Sequence, residues 1–288
     1  PIKSDYSNLK TFVINLDDYK ENYNKQLPYL ESIGLKVQRF SGINALKDEH
    51  LKPEYKEYIS KLALNFTPKS IIGCSLSHMS CSKYIYDNIL DKFEYFLIME
   101  DDAFPIYKKK EFNEELNKTV NEITIIDKNW DLITLHNDGP FPNYETYNCH
   151  FICGSVAAYL ISKKGLNKII KKKVYYHIDF VTFNPINFNK YKSRKNLFYT
   201  DEKNSLNRSI NNTKNFKYYS LYIKSYALEL FNKYTNLLEL RGEKSYSNFL
   251  EFKIIRLPYL KKEYTANEII DYLFAFFLLK KLNKLKKK

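Results

Sequence analysis

Residues 93–106 read FEYFLIMEDDAFPI, and no other stretch constrains the fold as tightly. Tyr95 to Met99 is a short aromatic and β-compatible run, and a small residue, an aromatic and Pro105 follow the acids behind it. A run of this length with a breaker behind it predicts a buried strand rather than a helix. Glu100, Asp101 and Asp102 then stand at the carboxyl end of that strand, where open α/β sheets place their ligands.

Adjacent carboxylates in an apolar setting raise one another's pKa, and burial raises them further. A bound hard divalent cation such as Mg²⁺ or Mn²⁺ removes that cost, taking carboxylate oxygens together with phosphate oxygens of a substrate. The competing reading is a solvated acidic turn after a strand.

Upstream, residues 11–16 (TFVINL) form a strand closed by Asp17 and Asp18. Residues 21–33 follow as a helix in which Pro28 predicts a kink or a later start, and Gly34 suits its C-cap. Residues 35–40 return as a second strand before a turn at Ser41 and Gly42. This β-α-β order points to a parallel sheet, with room for a nucleotide beyond Asn15 to Asp18. Neither GxGxxG nor a Walker A sequence is present, so dinucleotide and P-loop readings lack support.

Residues 45–68 are polar and are read as a peripheral excursion, helical around 53–64. Residues 71–89 (IIGCSLSHMSCSKYIYDNI) carry apolar residues at helical spacing, opened by Gly73, with Ser75 and Ser77 at the amino end. Such an end offers free N–H groups to an anion. His78 lies on this helix, either as a hydrogen-bonded packing residue or as a site residue. Further strands are expected at 130–135 and 155–161, and a helix capped by Ser162 is expected to run through Lys173. Asp179, in HIDF at 177–180, is a packed capping acid, a catalytic base or a metal ligand.

The chain of 288 residues carries a net charge of +13, which favours nucleotide phosphates or acidic lipids; no RNP-like signature supports nucleic acid. Abundant Tyr and Phe reflect codon bias toward an AT-rich genome rather than a function. Cys74, Cys81, Cys149 and Cys153 lack paired CxxC spacing and are read as free thiols of a reducing compartment. No signal peptide is visible at Pro1 to Asp5, so a cytoplasmic location is expected. Residues 204–215 look loop-like and 217–240 helical. Residues 269–279 (IIDYLFAFFLL), with six lysines in the nine positions behind them, are too short to span a bilayer, which takes about 20 apolar residues. They suit either a docked helix with a frayed tail or peripheral binding to an anionic membrane face.

Taken in order, TFVINLD (11–17), SGIN (41–44), IIGCSLSH (71–78), FLIMEDDA (96–103), GSVAAYLISKKG (154–165) and HIDF (177–180) resemble glycosyltransferase family 25. That family includes bacterial lipooligosaccharide galactosyltransferases and the collagen galactosyltransferase domain. The resemblance, which covers residues 11–180, implies an α/β, GT-A-like Rossmann-type mixed sheet flanked by helices, read as a catalytic domain over 1–190; residues 191–288 are read as a mainly helical region with a basic apolar tail, part of the same domain or a small acceptor- or membrane-contact subdomain. It implies a UDP-sugar donor, Mn²⁺ or Mg²⁺, and inverting transfer of a hexose, galactose first, to a glycan or glycolipid acceptor such as lipooligosaccharide. Glu100 and Asp102 take the metal places of a DxD-like motif. Asn15, Asp17, Gly42, Asn44, Gly73, Ser77, His78 and Asp101 are the expected donor contacts, and Asp179 is the expected base. The tail then suggests a peripheral place on the cytoplasmic face of the inner membrane. Rival readings are a collagen-type protein glycosyltransferase, a non-catalytic sugar- or nucleotide-binding module of the same fold, and a phosphohydrolase, which lacks a nucleophile motif.

Overall fold

The computed structural model describes residues 9–47, 51, 53–59, 69–137, 147, 155–174, 178–179, 188–201, 253–257 and 262–265. Readings at Cys149, Cys153, His177, 204–215, 217–240 and 269–279 lie outside the described residues.

The opening β-α-β unit forms as the sequence predicts. Strand β1 (Lys10–Asn15) leads through a short 3-10 turn into helix α1 (Lys20–Ser32), and β2 (Lys36–Ser41) pairs parallel with β1. The helix runs on through Pro28, so the expected late start does not occur. Proline there removes one intrahelical hydrogen bond, and Leu30 and Ile33, both fully packed, hold the turn beyond it. Gly34 ends the helix with φ of 87°, a left-handed conformation that other residues avoid.

Helix α2 (Lys69–Ile89) begins four residues before Gly73. Ser75 and Ser77 are therefore buried in its second and third turns, away from the free N–H groups of its amino end. Of the helix expected over 53–64, the described part is a 3-10 helix at Pro53–Tyr58, followed by Ile59, which bridges Val174; residues 60–64 lie outside the described residues. Strand β3 (Tyr95–Glu100) is followed by β4 (Ala103–Pro105), α3 (Lys109–Ile126), β5 (Leu132–Thr134) and β6 (Ala158–Ser162). Helix α4 (Lys163–Ile169) is capped by Ser162, whose hydroxyl accepts from Gly165 N at 3.1 Å. It stops short of Lys173 because the chain turns at residues 170–172 and Val174 N donates to Tyr58 O at 2.7 Å. Strands β7 (Lys190–Lys192) and β8 (Phe198–Thr200) follow, so the sheets draw on residues beyond 190. In the C-terminal region the described residues form an antiparallel hairpin of β9 (Lys253–Leu257) and β10 (Lys262–Thr265).

The main sheet has six strands in the order β2-β1-β3-β6-β5-β7. Only β6 runs against its neighbours; the sheet is mixed, as expected. Side chains alternate across a strand, and the two faces are sorted accordingly. Phe12, Ile14, Phe96, Ile98 and Tyr159 pack under α2 and α4, whereas Val13, Leu97, Met99 and Leu160 pack under α1 and α3. The result is a three-layer α/β sandwich with β3 at its centre.

Close approach is sharpest where α4 meets β5. A Cβ built on Gly165 would lie 2.3 Å from the carbonyl oxygen of Asp131. Asp131 itself is fully buried, pairs with Lys168 and accepts from Asn189 N at 2.8 Å. Gly165→Ala is therefore expected to destabilise the fold by about 1–3 kcal/mol, the usual cost of overpacking, read as a lower urea midpoint at unchanged slope.

Candidate active site

The carboxyl ends of β1 and β3 open into a cleft walled by α2, the 43–46 loop and the first turn of α1. Strand alternation decides how the three acids face it. Glu100 continues the Phe96–Ile98 side and turns toward α2; Asp101 continues the Leu97–Met99 side and turns toward Asn15.

Glu100 is held from α2. His78 Nε2 lies 3.1 Å from Glu100 Oε1, and the thiol of Cys74 donates to the same oxygen at 3.5 Å. The other ring nitrogen of His78 lies 3.0 Å from the hydroxyl of Tyr159, the residue paired with Ile98 on the antiparallel β6. His78 thus lines the cleft while being packed, with 1% exposure. Cys74 Sγ, His78 Nε2 and Glu100 Oε1 form the one metal-capable group of three such ligands among the described residues, all within 4.8 Å of one another.

Asp101 accepts from Asn15 Nδ2 at 2.6 Å, and Asn15 is gripped in turn by Arg39, whose Nε donates to its Oδ1 at 2.7 Å. Arg39 also reaches Asp17 at 2.6 Å, and Ser41 donates to the second oxygen of Asp17 at 2.6 Å. These two bonds hold the Asp17 carboxyl below its ordinary value. Burial is the main cause that pushes Asp101 up to about 6, against the opposing bond from Asn15.

Asp102 differs from both neighbours. Its Oδ1 is buried and has no hydrogen-bond partner among the described residues. Burial first, then the charges of Glu100 and Asp101, drive its carboxyl well above the usual range. Its backbone is fastened on the far side, where Asp201 N donates to Asp102 O at 2.9 Å beside the β4–β8 pair. A buried carboxylate oxygen in a field of two further acids fits a hard cation, which supplies the missing partner and the missing charge. The residues present therefore suit the metal that the sequence suggests, with Asp102 as the oxygen that most needs it.

Asn44, Ser77, His78, Glu100, Asp101 and Asp102 all line the cleft. Asn15 and Asp17 stand behind it as supports. Gly42 and Gly73 act through packing: a Cβ on Gly73 would meet Ile43 O at 2.6 Å, so its absence lets α2 press against the loop. Ser77 fastens the same contact, accepting from Ile43 N and donating to Gly73 O, each at 2.7 Å. Asp179 is outside the cleft lining, yet its charge is felt at both Cys74 and Tyr159. Lys190 Nζ reaches its backbone oxygen at 3.4 Å.

Sequence reasoning passed over Tyr159, Cys74 and Arg39 as site residues. Arg39 had a signal: it is one of five arginines in a chain whose other basic residues are lysine. A planar guanidinium that bonds Asn15 and Asp17 together is a task lysine does not perform.

A family model described as "Glycosyltransferase family 25 (LPS biosynthesis protein)" matches residues 8–182, more than half of the chain. No curated protein matches the chain. The match ends before β7 and β8, while it includes every cleft-lining acid.

Asn15→Ala removes a hydrogen bond that favours the charged form of Asp101. Its pKa should then rise beyond about 6, which a carboxyl-carbon NMR titration reads directly. In the unaltered protein the Asp101 proton favours folding below the unfolded value of 3.8, and that contribution should disappear as pH rises through about 6.

Proposed function

Because this chain belongs to glycosyltransferase family 25, we propose that it transfers a hexose, galactose first, from a UDP-sugar to a saccharide acceptor with inversion at the anomeric carbon. The acceptor inferred is a lipooligosaccharide-type glycan, in keeping with the lipopolysaccharide biosynthesis in the family's description. The observation that carries the reading is the buried carboxylate oxygen of Asp102, without a partner among the described residues, at the carboxyl end of the central strand.

In this reading Asp102 and Glu100 hold Mn²⁺ or Mg²⁺. When bound, such a cation supplies Lewis-acid stabilisation of the charge that builds on the leaving diphosphate. The chain's own residues do the rest. Asn44 and Ser77 border the donor from the 43–46 loop and α2, and Gly42 and Gly73 keep that wall close. The Arg39–Asn15–Asp101 chain holds Asp101 in place at the floor of the cleft, facing the donor. His78 keeps Glu100 on the α2 side.

Asp179 is the proposed base. As the acceptor oxygen bonds to the anomeric carbon, the bond from that carbon to the diphosphate oxygen breaks. The acceptor's hydroxyl proton passes to the Asp179 carboxylate from the face opposite the leaving group. Its closeness in charge to Cys74 and Tyr159 supports a position beside the cleft. A peripheral place on the cytoplasmic face of the inner membrane rests on residues 269–279 and the lysines after them. Among the described residues no helix is long and apolar enough to cross a membrane.

A donor screen with Mn²⁺ across UDP-galactose, UDP-glucose and UDP-N-acetyl sugars tests sugar choice and metal need together. UDP-galactose should be turned over fastest, and equal rates with and without a chelator would overturn the metal assignment. Asp102→Asn should lower turnover on the order of 100-fold or more with the fold intact by circular dichroism. Asp179→Asn should lower kcat with little change in donor affinity; a folded variant of normal activity removes Asp179 as the base.

A further inference from the structure

We infer that Cys74, His78 and Glu100 form a binding site for a thiol-seeking divalent cation of the zinc class, different in ligand chemistry from the hard-cation site at Asp102. Cys74 and His78 are four residues apart on α2 and so share one face of it, and Glu100 meets them from the end of β3. Paired CxxC spacing, the usual sequence signal, does not find a helical Cys-x-x-x-His pair completed by a strand.

The separations are those of a ligand set. A tetrahedral zinc bonded at about 2.3 Å to sulfur and about 2.0 Å to nitrogen and oxygen sets its ligand atoms roughly 3.3–3.5 Å apart. Here the nitrogen–oxygen edge is 3.1 Å and the sulfur–oxygen edge 3.5 Å, with the third edge inside 4.8 Å.

The surroundings also match. Metal-binding imidazoles are held by a partner on the other ring nitrogen, and the Tyr159 hydroxyl stands 3.0 Å from Nδ1. A hydroxyl both donates and accepts, so it serves Nδ1 in either tautomer, and Nε2 can turn its lone pair to a metal with the ring in place. All three residues line the cleft, which leaves a fourth position open to water or a ligand oxygen. Sulfur and nitrogen ligands select zinc-like ions over Mg²⁺ and Mn²⁺. On binding, a sulfur–metal bond replaces the sulfur–hydrogen bond of Cys74 and the proton leaves to solvent. If the transferase reading holds, such an ion also draws Glu100 away from Asp102 and inhibits the enzyme; the site itself does not depend on that reading.

Hydrogen bonding alone produces the same short contacts, so the test must detect the sulfur–metal bond. Metal-free full-length protein is titrated with Co²⁺ alone, without donor or acceptor. The expected result is a near-ultraviolet sulfur-to-cobalt charge-transfer band that saturates at one equivalent, is displaced by Zn²⁺ and is lost in Cys74→Ser. Absence of the band in the unaltered protein, or its persistence in Cys74→Ser, overturns the proposal. Should Cys74→Ser fail to fold, Glu100→Gln takes its place: cobalt binding should weaken on the order of 10-fold or more, and unchanged affinity overturns the site. No transfer assay enters these measurements, so their outcome is separate from that of the donor screen.

Discussion

The two-residue period of β3 governs the rest of the site. Its interior residues are buried on both faces, so the strand has no freedom to slip by one position without exchanging its two cores. That same period continues past the last apolar residue into the acids. Glu100 is committed to the α2 layer and Asp101 to the α1 layer, before any ligand is considered. Asp102, in the turn beyond the strand, is left as the acid with a buried carboxylate oxygen, Oδ1, that has no partner among the described residues. Three neighbours in sequence thus acquire three different chemical environments.

The two flanking layers are braced against that strand by different means. On one side Gly73 and Ser77 bring α2 against the 43–46 loop, so that Cys74 and His78 arrive at the end of β3. On the other, Arg39 ties the ends of β1 and β2 to Asp101 through Asn15. The Arg39–Asp17 ion pair is too exposed to contribute much energy on its own. Its worth lies in orienting the guanidinium toward Asn15, whose amide is then fixed to face a carboxylate.

Much of this was legible because it depends on local pattern. The β-α-β opening, the strand before the acids, the Ser162 cap and the glycine at the end of α1 all follow from residue period and capping chemistry. Even the split between Glu100 and Asp101 was implicit in the alternation of FLIMED. What could not be read depends on strand order. Tyr159 reaches His78 only because β6 is inserted antiparallel beside β3, and a sequence does not announce that neighbour. Strand β7 was hidden for a further reason: Lys190 and Lys192 are buried, against the ordinary habit of lysine, and no apolar run marks the segment. The amino end of α2 was misplaced because Gly73 reads as an opening residue, whereas it serves helix packing from within.

The bond from Asp201 N to Asp102 O has a consequence for how the molecule is made. It joins the acidic turn to a segment synthesised roughly a hundred residues later, a contact of high sequence separation. A nascent chain that has released only the segment through 182 already holds every acid that lines the cleft, but neither β8 nor the donor that fastens the turn. The bond that fastens the acidic turn can therefore form only once the strand at Phe198–Thr200 has been made and lies beside β4. The acids and the bond that secures their turn thus come from parts of the chain that leave the ribosome at different times.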